Sequence, residues 1–167
     1  MGNAAEAFAA ASQCTVVGST ASVTASAANT TVLGYGATSA AANDIVLGNT
    51  SIATIHAQVT TITAISDVRD KKQIEPLQSA VPFISALKPV SFVWNMRDGG
   101  KVGILDTGFI AQDLRDTMIT TKYHIPFLID ETDPERLAVG HGKLLPVVIK
   151  ALQENINENL QLNTQIE

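Results

Sequence analysis

The sequence is poor in cysteine and histidine, and it has no long apolar run. Cys14 is the single cysteine among 167 residues, so the chain can form no internal disulfide and no cysteine-based metal site. The three histidines lie far apart without ligand spacing, and we expect neither a metal nor another cofactor. No segment approaches the roughly 18 to 20 consecutive apolar residues of a membrane-spanning helix. We therefore expect no membrane insertion.

Charge is almost missing from the first part of the chain. Residues 1–65 contain two charged side chains, Glu6 and Asp44, and all 11 basic residues lie further on. The formal net charge of -5 gives no electrostatic reason to expect nucleic acid as a partner. The first four residues also lack the basic region of a signal peptide. The change in composition predicts two domains, 1–65 and 66–167.

Residues 1–65 contain a short repeat. Three apolar segments end in Gly18, Gly34 and Gly48, which are 16 and 14 residues apart. In each repeat, the apolar strand can supply the core and the glycine can allow the chain to bend. This pattern predicts a β-roll or β-helix-like segment over about residues 15–60. One coil buries too little surface to be stable alone, so the coils must stack or join with identical chains. A flexible linker rich in Ala, Ser and Thr is the alternative.

Residues 51–65 continue with β-branched side chains at intervals of three or four. This composition favours an extended fibrous strand or a three-sided coil over a helix. The repeat as a whole resembles the head repeats of trimeric autotransporter adhesins and the shafts of phage fibres.

Residues 66–167 predict a small mixed domain, so the fold class of the chain is α+β. Apolar residues at helical spacing predict a helix over 76–87, although Pro82 within the pattern argues for a break or kink. Turn chemistry at residues 98–100 predicts a hairpin between strand 90–94 and a strand within 102–110. Further predicted elements are a short helix at 112–118, a strand at 127–129 and a charged loop at 130–136.

The C-terminal segment predicts a long helix over 143–167. Two apolar stripes run along it, so the apolar surface is wide. A helix of about 25 residues spans about 37 Å and is too long to be covered by so small a domain. We therefore expect this helix to pair with the same helix of other copies of the chain. Asn155 and Asn159, which lie on the first stripe named below, would weaken this pairing but could fix its register and the number of chains. The two stripes are Val148, Leu152, Asn155, Asn159, Leu162 and Ile166, and Ile149, Leu152, Ile156 and Leu160.

Ser66 and Lys71 lie at the change in composition. A hydroxyl becomes a nucleophile when a base takes its proton, and a desolvated lysine can be that base. The two residues share no face of an ideal helix and point in opposite directions in a strand, so contact requires a turn, a long lysine reach or a second copy of the chain. The alternative is structural: Ser66 or Asp67 caps a helix, and Lys71 and Lys72 are solvated surface charge.

Four sequence blocks in residues 66–154 resemble the C-terminal intramolecular chaperone domain of phage tail spikes and tail fibres. This is the self-cleaving S74 peptidase family, and the autoproteolytic domain of myelin regulatory factor is similar. The resemblance extends to about residue 160. The blocks are SDVRDKKQI (66–74), LKPVSFVW (87–94), GFIAQDL (108–114) and LLPVVIKALQE (144–154).

The resemblance implies a homotrimer whose C-terminal helices form a trimeric coiled coil. In the family, the chaperone holds three chains in register while the fibre segment of the same chain folds, and then releases itself. The resemblance implies that Ser66 and Lys71 form a Ser-Lys dyad and that cleavage occurs at Ile65–Ser66. Arg69 and Lys72 are candidate cations that favour the neutral lysine, and Asp67 is expected to point away from the lysine because its charge would oppose that effect.

The implied location is a virion tail fibre or spike, made in the host cytoplasm, with the chaperone part released after cleavage. The fibre part could bind a host-surface receptor. Two other interpretations remain open at this point. One is a non-catalytic trimerisation and folding tag of a fibre or adhesin, and the other is an adhesin fragment that binds a receptor through residues 15–60.

Overall fold

A computed structural model describes residues 6–7, 11–59 and 61–166. The side chains of Glu6, Ala7 and Ile166 lie outside this description, and so do residues 1–5, 8–10, 60 and 167. The outermost N-terminal residues and the last residue of the predicted C-terminal helix therefore fall outside it. The chain divides into two compact units, residues 1–60 with 93–106 and residues 61–92 with 107–167. Strands and helices are both present, so the mixed α and β character is confirmed.

The described residues of 6–47 contain six short strands that form two parallel sheets. Their sheet orders are β1-β3-β5 and β2-β4-β6, so each repeat contributes one strand to each sheet. The strands predicted before Gly18, Gly34 and Gly48 are confirmed, with Thr15, Thr31 and Ile45 aligned in register. The strands are β1 (Glu6–Ala7), β2 (Thr15–Val17), β3 (Ser22–Val23), β4 (Thr31–Leu33), β5 (Thr38–Ser39) and β6 (Ile45–Leu47).

Small side chains fill the space between these strands. The buried cluster consists of Val23, Val32 and three alanines. Gly18 has a φ of +139°, and a Cβ placed on it would lie 2.3 Å from the carbonyl oxygen of Gly34. The glycine at this position is therefore required both by its backbone conformation and by the close approach of the next repeat.

The segment between the repeats and the first helix is open. From Ser51 to Ser79 the described residues are exposed, except for half-buried Asp67. The single regular element in the described part of this segment is a 3-10 turn at Val68–Asp70. No helix forms over the described residues of 51–65, as predicted, and no strand forms there either.

The predicted hairpin is present. Strand β7 (Val90–Asn95) pairs with β8 (Val102–Gly108). The Asp98 carboxylate accepts a hydrogen bond of 2.9 Å from the backbone N–H of Gly100, which stabilises the connecting turn.

Three helices pack around the core of the second unit. They are α1 (Val81–Ala86), α2 (Ala111–Thr121) and α3 (Leu145–Ile166), and a 3-10 turn at His141–Leu144 precedes α3. Between α2 and α3, strands β9 (Ile129–Asp130) and β10 (Ala138–Val139) pair antiparallel. Phe83 of α1 is fully buried and stacks on Tyr123, with ring centroids 5.0 Å apart.

Several element boundaries differ from the sequence predictions. The long helix predicted over 143–167 begins at Leu145, because a 3-10 turn occupies His141–Leu144. The helix predicted over 76–87 begins only at Val81, because Pro82 is tolerated in the first turn of a helix but not in its interior. The strand predicted at 127–129 begins at Ile129 and includes Asp130, so the charged loop starts one residue later. The short helix predicted at 112–118 is present and extends to Thr121.

Helix α3 has one buried and one exposed apolar face. Val147 and Ala151 are buried in the core with Leu144, which precedes the helix. The opposite face leaves a row of large apolar side chains exposed, which we call the α3 stripe. It consists of Leu145, Val148, Ile149, Leu152, Ile156 and Leu160.

Candidate active site

Residues 66–71 fold back on themselves through a tight turn. The Asp67 carboxylate caps the 3-10 turn by accepting a hydrogen bond of 2.8 Å from the backbone N–H of Arg69. The turn is closed by hydrogen bonds from the Asp70 N–H to the Asp67 carbonyl, 3.2 Å, and from the Lys71 N–H to the Val68 carbonyl, 3.1 Å. Aspartate favours such a position because its short side chain reaches backbone N–H groups two residues ahead. The structural alternative was therefore right about capping by Asp67.

The turn brings Lys71 to Ser66 within one chain. The Lys71 Nζ atom donates hydrogen bonds to Ser66 Oγ at 2.5 Å and to the Ser66 carbonyl oxygen at 3.1 Å. Of the three routes to contact, the structure uses a turn together with the reach of the lysine side chain. A neutral amine at this distance could accept the hydroxyl proton directly.

Asp67 and Arg69 form a two-pronged ion pair beside this contact. Arg69 Nε donates to Asp67 Oδ1 at 3.0 Å, and Nη2 donates to Oδ2 at 2.6 Å. Side-chain hydrogen bonding to Arg69, and then the backbone bond to the same residue, holds the pKa of the Asp67 carboxyl below its usual value. The same carboxylate raises the pKa of Arg69. The Arg69 charge is thus engaged by Asp67, while Lys72 is exposed.

The peptide bond before Ser66 lies in an open part of the chain. Ile65 is 90% exposed, and Ser66 and Lys71 are also exposed in the single chain. An open, irregular segment can adopt the conformation that attack on the Ile65 carbonyl requires. This open segment leaves the Lys71 amine in contact with water. A lysine amine is favoured in its neutral form when it is buried away from water.

A family model matches the segment that contains this turn. Residues 66–121 match Peptidase_S74, the chaperone of endosialidase. The chain therefore contains an S74 chaperone domain. The match begins at Ser66, ends with the last residue of α2, and includes three of the four sequence blocks named above. The fourth block, 144–154, lies beyond it, and a comparison with curated proteins found no match.

The family name of the S74 domain implies an intramolecular chaperone with a peptidase activity that acts on its own chain. In the part of the chain that the structure describes, no group of three or more His, Cys, Asp or Glu side chains is arranged to hold a metal ion. No helix among the same residues is long and apolar enough to cross a membrane.

One residue of structural importance was missed by the sequence analysis. Glu154 of α3 accepts hydrogen bonds from the N–H groups of Ala80 and Val81, at 3.0 and 3.3 Å, and from the Ser79 hydroxyl at 3.2 Å. The Ala80 bond is the largest cause that holds the pKa of Glu154 below its usual value. Glu154 thereby fixes the chain at the start of α1, where the exposed segment from Lys71 ends. The sequence carries no signal for these contacts, because the partners lie 73 to 75 positions away in the chain.

Proposed function

We propose that this S74 domain helps three chains fold as a fibre end and then cuts its own backbone at Ile65–Ser66. The observation that carries the proposal is the 2.5 Å contact between Lys71 Nζ and Ser66 Oγ, at the first residue of the family match. A structural cap does not explain this contact, because the turn is capped by Asp67 and not by Ser66.

The proposed reaction uses the serine to attack the peptide bond that precedes it. Neutral Lys71 takes the hydroxyl proton while Ser66 Oγ bonds to the Ile65 carbonyl carbon. The bond from that carbon to the Ser66 nitrogen then breaks, and the nitrogen takes the proton that Lys71 accepted and becomes a free amine on Ser66, whose Oγ now carries the ester. Water hydrolyses the resulting ester, which gives a carboxylate on Ile65 and restores the Ser66 hydroxyl.

The α3 stripe supports the trimer. Its apolar side chains lie on the face opposite buried Val147 and Ala151, and each is between 44% and 63% exposed in the single chain. Apolar side chains repeated along one helix face are typical of helices that associate. We propose that three copies of α3 form a coiled coil through this stripe.

The paired parallel sheets of residues 6–47 support the fibre assignment. Successive repeats pair in parallel and in register, with one strand in each sheet, and this pairing supports our proposal of a β-roll. We propose that this segment is the end of a tail fibre or tail spike of a virion and is the client of the chaperone. A host-surface receptor would then be bound by the fibre part.

Coupling between assembly and cleavage follows if the lysine is desolvated only when three chains meet. Lys71 is exposed in the single chain, so a neighbouring copy has to supply the cover. A monomeric variant that still cuts at the parental rate would contradict the coupling.

The test compares dyad variants with matched controls from the same domain. Ser66→Ala and Lys71→Ala should each stop cleavage, as followed by denaturing gels and intact mass over time. The controls Ser85→Ala and Lys88→Ala change exposed residues of the same types within the family match and should cut at the parental rate. Cleavage that persists in Ser66→Ala would leave the non-catalytic folding tag as the better interpretation.

A further inference from the structure

We propose that Asp67 and Arg69 are positioning residues that hold Lys71 against Ser66 and do not tune the charge of the lysine. The inference rests on the proposed self-cleavage and concerns the same turn. It assigns the pair a mechanical role, in place of the electrostatic role that the sequence suggested for Arg69.

The turn is needed because Ser66 and Lys71 would otherwise lie too far apart for contact. Five residues of extended chain span about 16–18 Å, which no lysine side chain can bridge. The 3-10 turn shortens this path and leaves Nζ at 2.5 Å from Oγ. Anything that holds the turn therefore sets the distance between base and nucleophile.

The Asp67 carboxylate stabilises the turn by accepting hydrogen bonds from Arg69. Oδ1 accepts the backbone N–H of Arg69, and the same oxygen also accepts Arg69 Nε at 3.0 Å. Oδ2 accepts Nη2 at 2.6 Å. The guanidinium thus fixes the carboxylate in the orientation that caps the turn, and both carboxylate oxygens are engaged by one residue.

The same contacts weaken an electrostatic role. An arginine paired with a carboxylate has no net charge as a unit, so its effect on a neighbouring amine is small. The Arg69 side chain is 85% exposed, and solvent screens what remains. Exposed ion pairs contribute little to global stability, so loss of this pair should alter the local geometry of the turn more than the fold.

The experiment measures cleavage rate against pH in the full chain. Asp67→Ala should lower the plateau rate by about 10- to 100-fold, the effect expected of a misplaced reacting group, and leave the pH midpoint of the profile unchanged. Asp67→Asn retains an oxygen that can cap the turn and should recover most of the rate. Arg69→Gln keeps the backbone bond and should fall between the two, whereas Asp70→Asn removes a neighbouring charge outside these contacts and should match the parent.

The outcomes separate this inference from the proposed function. If the unmutated chain cuts and Asp67→Ala cuts at the same rate, the positioning role is wrong while self-cleavage stands. A midpoint that moves down in Asp67→Ala and up in Arg69→Gln, with plateaus unchanged, would show that the pair acts through charge. If the unmutated chain does not cut, the proposed function and the positioning role both fall. Circular dichroism and trimer size of each variant show that the comparison is between folded proteins.

Discussion

Removing one side chain from the α3 stripe should weaken the trimer by an amount that the structure sets. Leu152→Ala deletes three carbons, worth about 2.4 kcal/mol if fully buried at about 0.8 kcal/mol per carbon. Leu152 is 57% exposed in the single chain, so association can bury only that part. The expected loss is about 1.4 kcal/mol per chain and about 4 kcal/mol per trimer, or about 1,000-fold in the trimer dissociation constant.

The concentration dependence of assembly measures this loss. For three chains in equilibrium with one trimer, the midpoint concentration varies as the square root of the dissociation constant, so it should rise about 30-fold. Analytical ultracentrifugation across a dilution series gives this midpoint, with Ser66→Ala as the background so that cleavage does not interfere. Alanine is the best helix former, so α3 itself should remain intact.

A control on the same helix isolates the stripe. Asn157 is exposed and lies about 140° around an ideal helix from Leu152, so Asn157→Ala should leave the midpoint unchanged. An unchanged midpoint in Leu152→Ala, or an equal shift in Asn157→Ala, would show that the α3 stripe does not join the chains.

Two further predictions concern the stability of the second unit. Phe83→Ala should reduce the free energy of unfolding by about 3–5 kcal/mol, measured by urea denaturation, because a fully buried ring that stacks on Tyr123 is lost; a loss below about 1 kcal/mol would contradict the described core. The lowered pKa of Glu154 means that its stabilisation is present above the usual value of 4.5 and is lost as pH falls through the folded value. Melting temperatures between pH 3 and 7 should therefore fall more steeply towards acid in the parent than in Glu154→Gln, with Glu158→Gln as the unchanged control.

The strands of the first unit could be predicted where the chain itself carries the signal. Apolar segments that end in glycine at a regular interval mark β2, β4 and β6. The second sheet was missed, because β3 and β5 are two residues long and built from Ser, Val and Thr. Their pairing depends on the stacking of whole repeats and not on a local preference.

The candidate site was predictable as a set of residues but not as a geometry. Ser66, Asp67 and Lys71 were all named from the sequence, and Asp67 was recognised as a possible cap. Spacing alone could not show that the cap belongs to a 3-10 turn that returns the lysine to the serine. The contact of Glu154 with Ala80 could not be predicted for another reason, because the two residues lie 74 positions apart in the chain.

The central claim is that the serine at the start of the S74 domain cuts the peptide bond before it. Intact mass spectrometry of the unmutated chain, incubated under conditions in which trimers form, tests this most directly. The account predicts fragments of 65 residues and of 102 residues, the remainder of 167, with Ser66 as the free N-terminus of the second. A trimer that keeps the full mass, or a cut at any other bond, would contradict it.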